Sequence, residues 1–266
     1  MMPFREKILF RYLCHAPIPL AIERSIESRL YQGCRMERPI LDVGCGDGLF
    51  ARMVFAIPLD TGIDPDLSEI ETARQNRGYR ELIQTAGDRI PKPDGSYKTI
   101  LSNSVLEHIP NLMPVLAEIR RLLDDNGRFY FTVPSAYFEV YAWVAQLFRA
   151  MGLYTMAKFY QQFYNRFWKH YHCYSLEGWN AVARQAGFSV VQSFTYNPPR
   201  TCLVNDILAP LAMPGFIRKR RTGRWVACPE LRRTLLRPFY SRLANLVSKS
   251  GPCQDGGLVF MALRKN

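Results

Sequence analysis

Three glycines spaced two residues apart, directly after a short apolar run, constrain this chain more than any other feature. In Pro39-Ile40-Leu41-Asp42-Val43-Gly44-Cys45-Gly46-Asp47-Gly48-Leu49-Phe50, residues Ile40, Leu41 and Val43 read as a buried parallel strand. Beyond the glycines, Leu49, Phe50, Met53, Val54 and Ala56 recur at helical spacing. Glycines at a strand-to-helix turn let the backbone bend tightly and approach a ligand with no Cβ in the way. The helix amino terminus that follows offers unpaired N–H groups and a positive dipole end to an anion such as a carboxylate. The dinucleotide fingerprint requires G-x-G-x-x-G. Here Gly48 comes one residue early, Leu49 fills the position of the third glycine, and Asp42 puts an acid in the strand where that fingerprint has none. Taken alone, the glycines fit a plain tight turn equally well.

The segments downstream narrow the choice. Leu59-Asp60-Thr61-Gly62-Ile63-Asp64 reads as a second strand ending in an acid about twenty residues after the glycines, where a doubly wound fold places a carboxylate for ribose hydroxyls. Thr85-Ala86-Gly87-Asp88 ends a third strand in another acid, and residues 99–109 give a fourth strand running into a polar turn. The segments D-V-G-C-G-D-G (42–48), G-I-D-P-D (62–66), G-D-R-I-P (87–91) and S-N-S-V-L-E-H-I (102–109) together resemble the class I S-adenosylmethionine-dependent methyltransferases, in particular the branch with the ubiquinone and menaquinone methyltransferases. The resemblance runs over residues 39–134, about a third of the chain.

That resemblance implies an α/β, Rossmann-like doubly wound sheet of seven strands in the order 3-2-1-4-5-7-6, the seventh antiparallel, with S-adenosyl-L-methionine as cofactor. It implies that Asp42 and the backbone of Gly44, Cys45, Gly46 and Gly48 hold the methionine part, Asp42 acting on the ammonium directly or through water. Asp64, with Pro65 beside it, would accept both ribose hydroxyls, since a carboxylate takes two donors without a competing donor of its own. Asp88 would accept from the adenine amino group, with the backbone of Arg89 nearby, although the family often has a small residue where Arg89 stands. Asn103 or Ser104 would close over the methionine end.

Between these segments, Ser68 and Glu71 form a capping-box pattern that starts a helix through Arg77. Leu112, Val115, Leu116, Ile119, Leu122 and Leu123 mark another helix, for which Gly127 suits a left-handed cap. Residues 128–133 read as the fifth strand, 188–192 as the sixth and 257–263 as the last. Residues 5–31 look helical with a break at Pro17 and Pro19, either flanking the cofactor site or packed on the sheet edge.

A chain of 266 residues, nearly half apolar, supports one core and one domain spanning 1–266. Its seven cysteines are scattered and form neither C-x-x-C nor Cys/His clusters, so no metal site or disulfide framework is expected, and a reducing cytoplasm fits. No signal-peptide core and no apolar run long enough to span a bilayer is present.

Two stretches stand apart from the cofactor motifs. Residues 135–172 form an aromatic insert with Phe159, Tyr160, Phe163, Tyr164, Phe167 and Trp168 on one helical stripe, which packs on the core or covers an acceptor pocket. Residues 198–250 form a basic helical insert with eleven Lys/Arg against two acids, including Arg218-Lys219-Arg220-Arg221. The family normally has a short loop there. In its last helix Phe239, Tyr240, Leu243, Leu246 and Val247 should face one way and Arg242, Asn245 and Lys249 the other.

An oxygen or carbon acceptor must usually lose a proton, and a histidine near neutrality suits that work. His108 follows the fourth strand, and His170 and His172 follow the aromatic insert, so these three are the catalytic candidates, each with a purely structural alternative. The functional expectation is methyl transfer to a small, apolar or lipid-linked acceptor, with the basic insert resting on an anionic membrane surface. An RNA or protein methyltransferase using the basic insert is the second reading, although no RNA-binding module accompanies it. A non-catalytic cofactor-binding protein is the third.

Overall fold

In the computed structural model, which describes residues 2–266, the apolar run before the glycines becomes β1 (Ile40–Val43) at the centre of a seven-stranded sheet. Its side chains alternate between two cores: Ile40 joins one, Leu41 and Val43 the other. A strand buried on both faces accounts for the near-continuous apolar run. Two helices precede it, α1 (Ile8–His15) and α2 (Ile18–Gln32), divided at the Pro17/Pro19 break. After it come α3 (Leu49–Val54), β2 (Leu59–Asp64), α4 (Leu67–Asn76), β3 (Tyr79–Gln84) and β4 (Tyr97–Asn103). Then follow α5 (Leu112–Leu122), β5 (Leu123–Pro134), α6 (Trp143–Ala150), α7 (Tyr154–Trp168), α8 (Leu176–Gln185) and β6 (Phe188–Tyr196). The chain closes with α9 (Pro199–Leu208), α10 (Met213–Thr222), α11 (Pro229–Leu236), α12 (Tyr240–Ser248) and β7 (Leu258–Lys265).

The strand order is β3-β2-β1-β4-β5-β7-β6, as expected. β1 pairs in parallel with β2 (Leu41 opposite Thr61) and β4 (Leu41 opposite Ile100), while β7 runs antiparallel to both β5 and β6. The carboxyl ends of β1, β2 and β4 therefore share one rim, where such sheets bind ligands. Among the described residues no helix is long and apolar enough to cross a membrane.

Three local expectations are corrected. α4 is capped by Asp66, whose carboxylate accepts from the Ser68 amide at 2.8 Å, and not by the Ser68/Glu71 pair. Gly127 is no left-handed cap: α5 passes at Leu123 directly into extended backbone, and Gly127 is needed because a Cβ there would lie 2.8 Å from the Asp124 carbonyl. Phe239 stands in the turn ahead of α12 and is exposed, while Tyr240, Leu243, Leu246 and Val247 pack inward.

The aromatic stripe of α7 divides. Tyr160 and Tyr164 are partly buried, whereas Phe159, Phe163 and Phe167 point outward. Asp206 of α9 ties the two inserts together, accepting from the Trp143 amide and the Tyr164 hydroxyl, each at 2.8 Å. The basic insert is also bound to the amino-terminal helices. Arg232 donates to the Leu13 and Ala16 carbonyls at the end of α1, a favourable place for a cation at a helix carboxyl terminus.

Candidate active site

The glycine turn combines close packing with one open face. All three glycines have positive φ: 79° at Gly44, 51° at Gly46 and 70° at Gly48. A Cβ on Gly44 would lie 2.4 Å from Val105, and one on Gly48 would lie 3.0 Å from Ala73. A Cβ on Gly46 would meet nothing nearer than the Glu69 carboxylate at 4.0 Å. Gly44 and Gly48 thus permit packing, and Gly46 leaves its backbone approachable from outside.

Asp64 at the tip of β2 anchors this face. Its two oxygens accept from the Gly46 and Asp66 amides at 3.0 and 2.9 Å, and each keeps acceptor capacity. Burial pushes its pKa up, against the two amide hydrogen bonds. Asp42 is buried beneath the turn and accepts from the Tyr79 hydroxyl at 2.5 Å. Burial raises it to about 7; the Tyr79 bond opposes the shift and nearby Asp64 adds to it. Pro65, Asp88 and Arg89 are exposed, Pro65 just after β2; β3 ends at Gln84, so Asp88 is not the strand-end acid expected of it but stands with Arg89 on the loop beyond. That loop is held to α5, because Ile90 donates to Glu118 at 2.7 Å and its carbonyl accepts from Arg121 at 3.1 Å.

At the end of β4, Asn103 and Ser104 meet two residues that the sequence reading missed, Arg24 and Glu27 of α2. Glu27 is fully buried and accepts from Asn103 Nδ2 at 2.8 Å, Ser104 Oγ at 3.1 Å and Arg24 at 2.7 Å. Arg24 also donates to Ser104 Oγ at 2.9 Å. Burial disfavours the Arg24 charge, but Glu27 and Glu23 outweigh that and raise its pKa. Ser104 itself holds a left-handed φ of 54°, rare for a residue with a Cβ. The signal in the sequence was an Arg/Glu pair three apart on a helix face otherwise lined by Ala21, Ile22, Ser25 and Ile26.

The histidines divide into a pair and a single residue. One backbone bond and one ring contact lay residues 169–172 along 107–109: the Tyr171 amide donates to the Glu107 carbonyl at 2.8 Å, and His108 Nδ1 lies 3.2 Å from the Lys169 carbonyl. The rings of His108 and His170 come within 5.2 Å of each other, and Phe138 packs edge-on to His170 at 5.3 Å. His172 is engaged elsewhere, with Nε2 on the Ile109 carbonyl and Nδ1 on the Tyr174 hydroxyl, both at 2.9 Å. Glu107 is buried, with Oε1 3.7 Å from His108 Nε2, and burial raises its pKa to about 8. Partial desolvation lowers His108, whose side chain is nonetheless 41% exposed, and burial takes His170 down to about 4 with help from His108. A carbonyl partner on Nδ1 makes that nitrogen the donor and leaves His108 Nε2 with its lone pair free. Glu107, His108 and His170 each offer one ligand atom within 4.8 Å of the others, a spacing open to a cation.

An approachable glycine backbone and two carboxylates at the ends of adjacent strands, with an imidazole pair beyond the end of the next one, suit a ligand with vicinal hydroxyls and an ammonium. S-adenosylmethionine has both. The methyltransferase-domain family matches residues 9–193. Among curated proteins, the malonyl-[acyl-carrier protein] O-methyltransferase of Legionella pneumophila is 28% identical over 137 residues, covering 47% of this chain and 48% of that protein. The ubiquinone biosynthesis O-methyltransferase of Histophilus somni is 29% identical over 118 residues, 41% of this chain and 50% of that protein. The matches thus span about half the length of these relatives. Among solved structures, a SAM-dependent methyltransferase from Thermotoga maritima, described as a possible histamine N-methyltransferase, superposes with a TM-score of 0.55 at 14% identity. It covers 97% of this chain and 91% of its own, and supports the fold. With the family match over most of the chain and the seven-stranded order in place, this chain belongs to the class I S-adenosylmethionine-dependent methyltransferases.

Proposed function

We propose that the protein transfers a methyl group from S-adenosylmethionine to an oxygen or carbon of a small, apolar or lipid-linked acceptor. The carrying observation is the His108/His170 pair: two imidazoles with rings 5.2 Å apart beyond the end of β4 and against the aromatic insert, His170 half-buried and His108 with a 41% exposed side chain, both with lowered pKa. When bound, the cofactor supplies an activated methyl on a sulfonium. The chain supplies position and proton handling. On this reading Asp64 accepts the ribose hydroxyls, Asp42 faces the ammonium, the backbone of Gly44 to Gly48 lies under the methionine part, and Asp88 accepts from the adenine. Arg24, held by Glu27 and Ser104, offers a guanidinium to the methionine carboxylate. His108 Nε2 removes the acceptor proton, and Phe138 with the aromatic insert keeps water from the acceptor. Fixing two reactants in line can contribute about 7–11 kcal/mol to such a transfer.

The O-methyltransferase relatives favour an oxygen acceptor. The apolar acceptor class and the membrane surface draw on the outer face of the inserts. Of the large apolar side chains exposed among the described residues, all but Ile57, Leu67, Tyr174 and Val191 lie in 135–172 or 198–250. The same two stretches carry four Lys/Arg against one acid and eleven against two, which leaves the rest of the chain formally neutral. Exposed aromatics beside solvent-facing cations such as Arg220, Arg221 and Arg224 are what an anionic bilayer surface attracts.

Extract incubated with the protein and methyl-labelled cofactor should yield label in the lipid or apolar small-molecule fraction. Label confined to RNA or protein would overturn the acceptor class. The protein should also sediment with anionic vesicles at low salt and leave them at high salt, and no sedimentation at any salt would remove the membrane surface from the reading.

A further inference from the structure

The run Arg218-Lys219-Arg220-Arg221 is not one solvated patch. Consecutive residues on a helix point about 100° apart; Arg218 and Lys219 are half-buried, and Lys219 reaches in to the glycine turn. Its side chain is 17% exposed, while Arg220 and Arg221 stand in solvent. Lys219 Nζ lies 2.8 and 2.9 Å from the two oxygens of Glu69 and 3.2 Å from Asp47 Oδ2. Gly223, with φ 68°, then turns the chain back so that the Trp225 ring sits 5.0 Å from the same ammonium and its Nε1 donates to the same Asp47 oxygen at 3.0 Å.

Both acids border the glycine turn. Asp47 is the residue between Gly46 and Gly48, and its other oxygen accepts from the Leu49 amide at 3.0 Å. Glu69, in the first turn of α4, is the group nearest the open face of Gly46. Asp42, Asp47, Asp64 and Glu69 crowd around one short turn, and Lys219 is the cation set between Asp47 and Glu69. A cleft of about 290 Å³ opens beside this contact, lined by Asp47, Leu49 and Thr72 on one side and Arg224 and Trp225 on the other.

We propose that Lys219 and Trp225 are positioning residues of the cofactor site, and that the segment from α10 to Pro229 is a cover whose hold on Asp47 and Glu69 sets how fast the cofactor and its product exchange. The inference rests on the cofactor reading and is independent of the acceptor. Lys219 and Trp225 keep the acids beside Gly46 from repelling one another and fix the turn in the geometry that a nucleoside contacts. Release of this contact uncovers the ribose end of the site.

The test is the dissociation rate of labelled S-adenosylmethionine, chased with excess unlabelled compound, in the full-length protein. Lys219→Met should raise the rate by about tenfold, the loss expected for one charge-assisted contact, with Lys219→Arg returning it close to wild type. Trp225→Phe, which keeps an aromatic ring beside the ammonium and loses the indole N–H bond to Asp47 with some packing, should raise it by a smaller factor. A folded Lys219→Met protein with the wild-type rate overturns the proposal. If that variant does not fold, a wild-type rate in Trp225→Phe overturns it. A wild-type protein that binds no S-adenosylmethionine contradicts the cofactor reading instead.

Discussion

Glu27 has no exposed surface, and Arg24, Asn103 and Ser104 all donate to it. Removing one partner of such a buried pair leaves the other charge uncompensated, which typically destabilises by about 3–5 kcal/mol. Glu27→Ala should lower unfolding free energy by about that amount in denaturant titrations, and a loss within error of zero would show that the network is not structural. For His108, replacement by Asn, whose amide takes the place of Nδ1, keeps the donor to the Lys169 carbonyl and removes the base. It should lower kcat/KM by about a hundredfold or more and leave S-adenosylmethionine affinity unchanged; a matching loss of affinity would assign His108 to the cofactor instead. Asp42 and Glu107 make the free protein sensitive to pH. Their carboxyls are raised to about 7 and about 8, so the stability they contribute is full below the ordinary carboxylate range near pH ~4 and fades as pH rises through those values. His170, lowered to about 4, acts the other way: its contribution is full above the ordinary imidazole value near ~6.5 and fades as pH falls through about 4. Unfolding free energy should therefore decline from about pH 6 to 9, and Asp42→Asn should flatten part of that decline. An equally steep decline in the variant would contradict the assignment.

The glycine turn and strands β1, β2 and β4 were legible because their signals are local: apolar runs, acids at the ends of β1 and β2, a polar turn after β4, and glycines where the backbone must take positive φ. Gly44→Ala tests this element. It combines φ 79° with a Cβ 2.4 Å from Val105, so the variant should unfold at lower temperature and bind the cofactor more weakly, by calorimetry and titration. Wild-type values in both would mean that the turn tolerates a side chain. The α4 cap was misplaced by two residues because Ser68 and Asp66 both suit an amino-terminal cap, and the backbone chose Asp66. Gly127 was misread because its close approach to the Asp124 carbonyl and a left-handed cap demand the same residue type.

At the scale of the whole molecule, much of the candidate site comes from parts of the chain that carry no motif. Arg24 and Glu27 reach Asn103 and Ser104 across nearly eighty residues, and Lys219 reaches Glu69 across 150. Their charges look like ordinary surface composition until the sheet brings α2 and α10 to the rim of β1, β2 and β4. The histidine pair is similar: His108 and His170 stand far apart in sequence, and the Tyr171 amide on the Glu107 carbonyl, with the His108 and His172 rings on the Lys169 and Ile109 carbonyls, brings their segments together. The central claim remains that this rim grips S-adenosylmethionine through the open face of Gly46 and the carboxylate of Asp64. Titration calorimetry of S-adenosylmethionine into the wild-type protein and Asp64→Ala tests it most directly. One site per chain is expected, and loss of two charge-assisted hydrogen bonds at about 1.5–3 kcal/mol each should weaken binding by about a hundredfold or more. No binding by the wild type, or equal affinity in a folded Asp64→Ala protein, would contradict it.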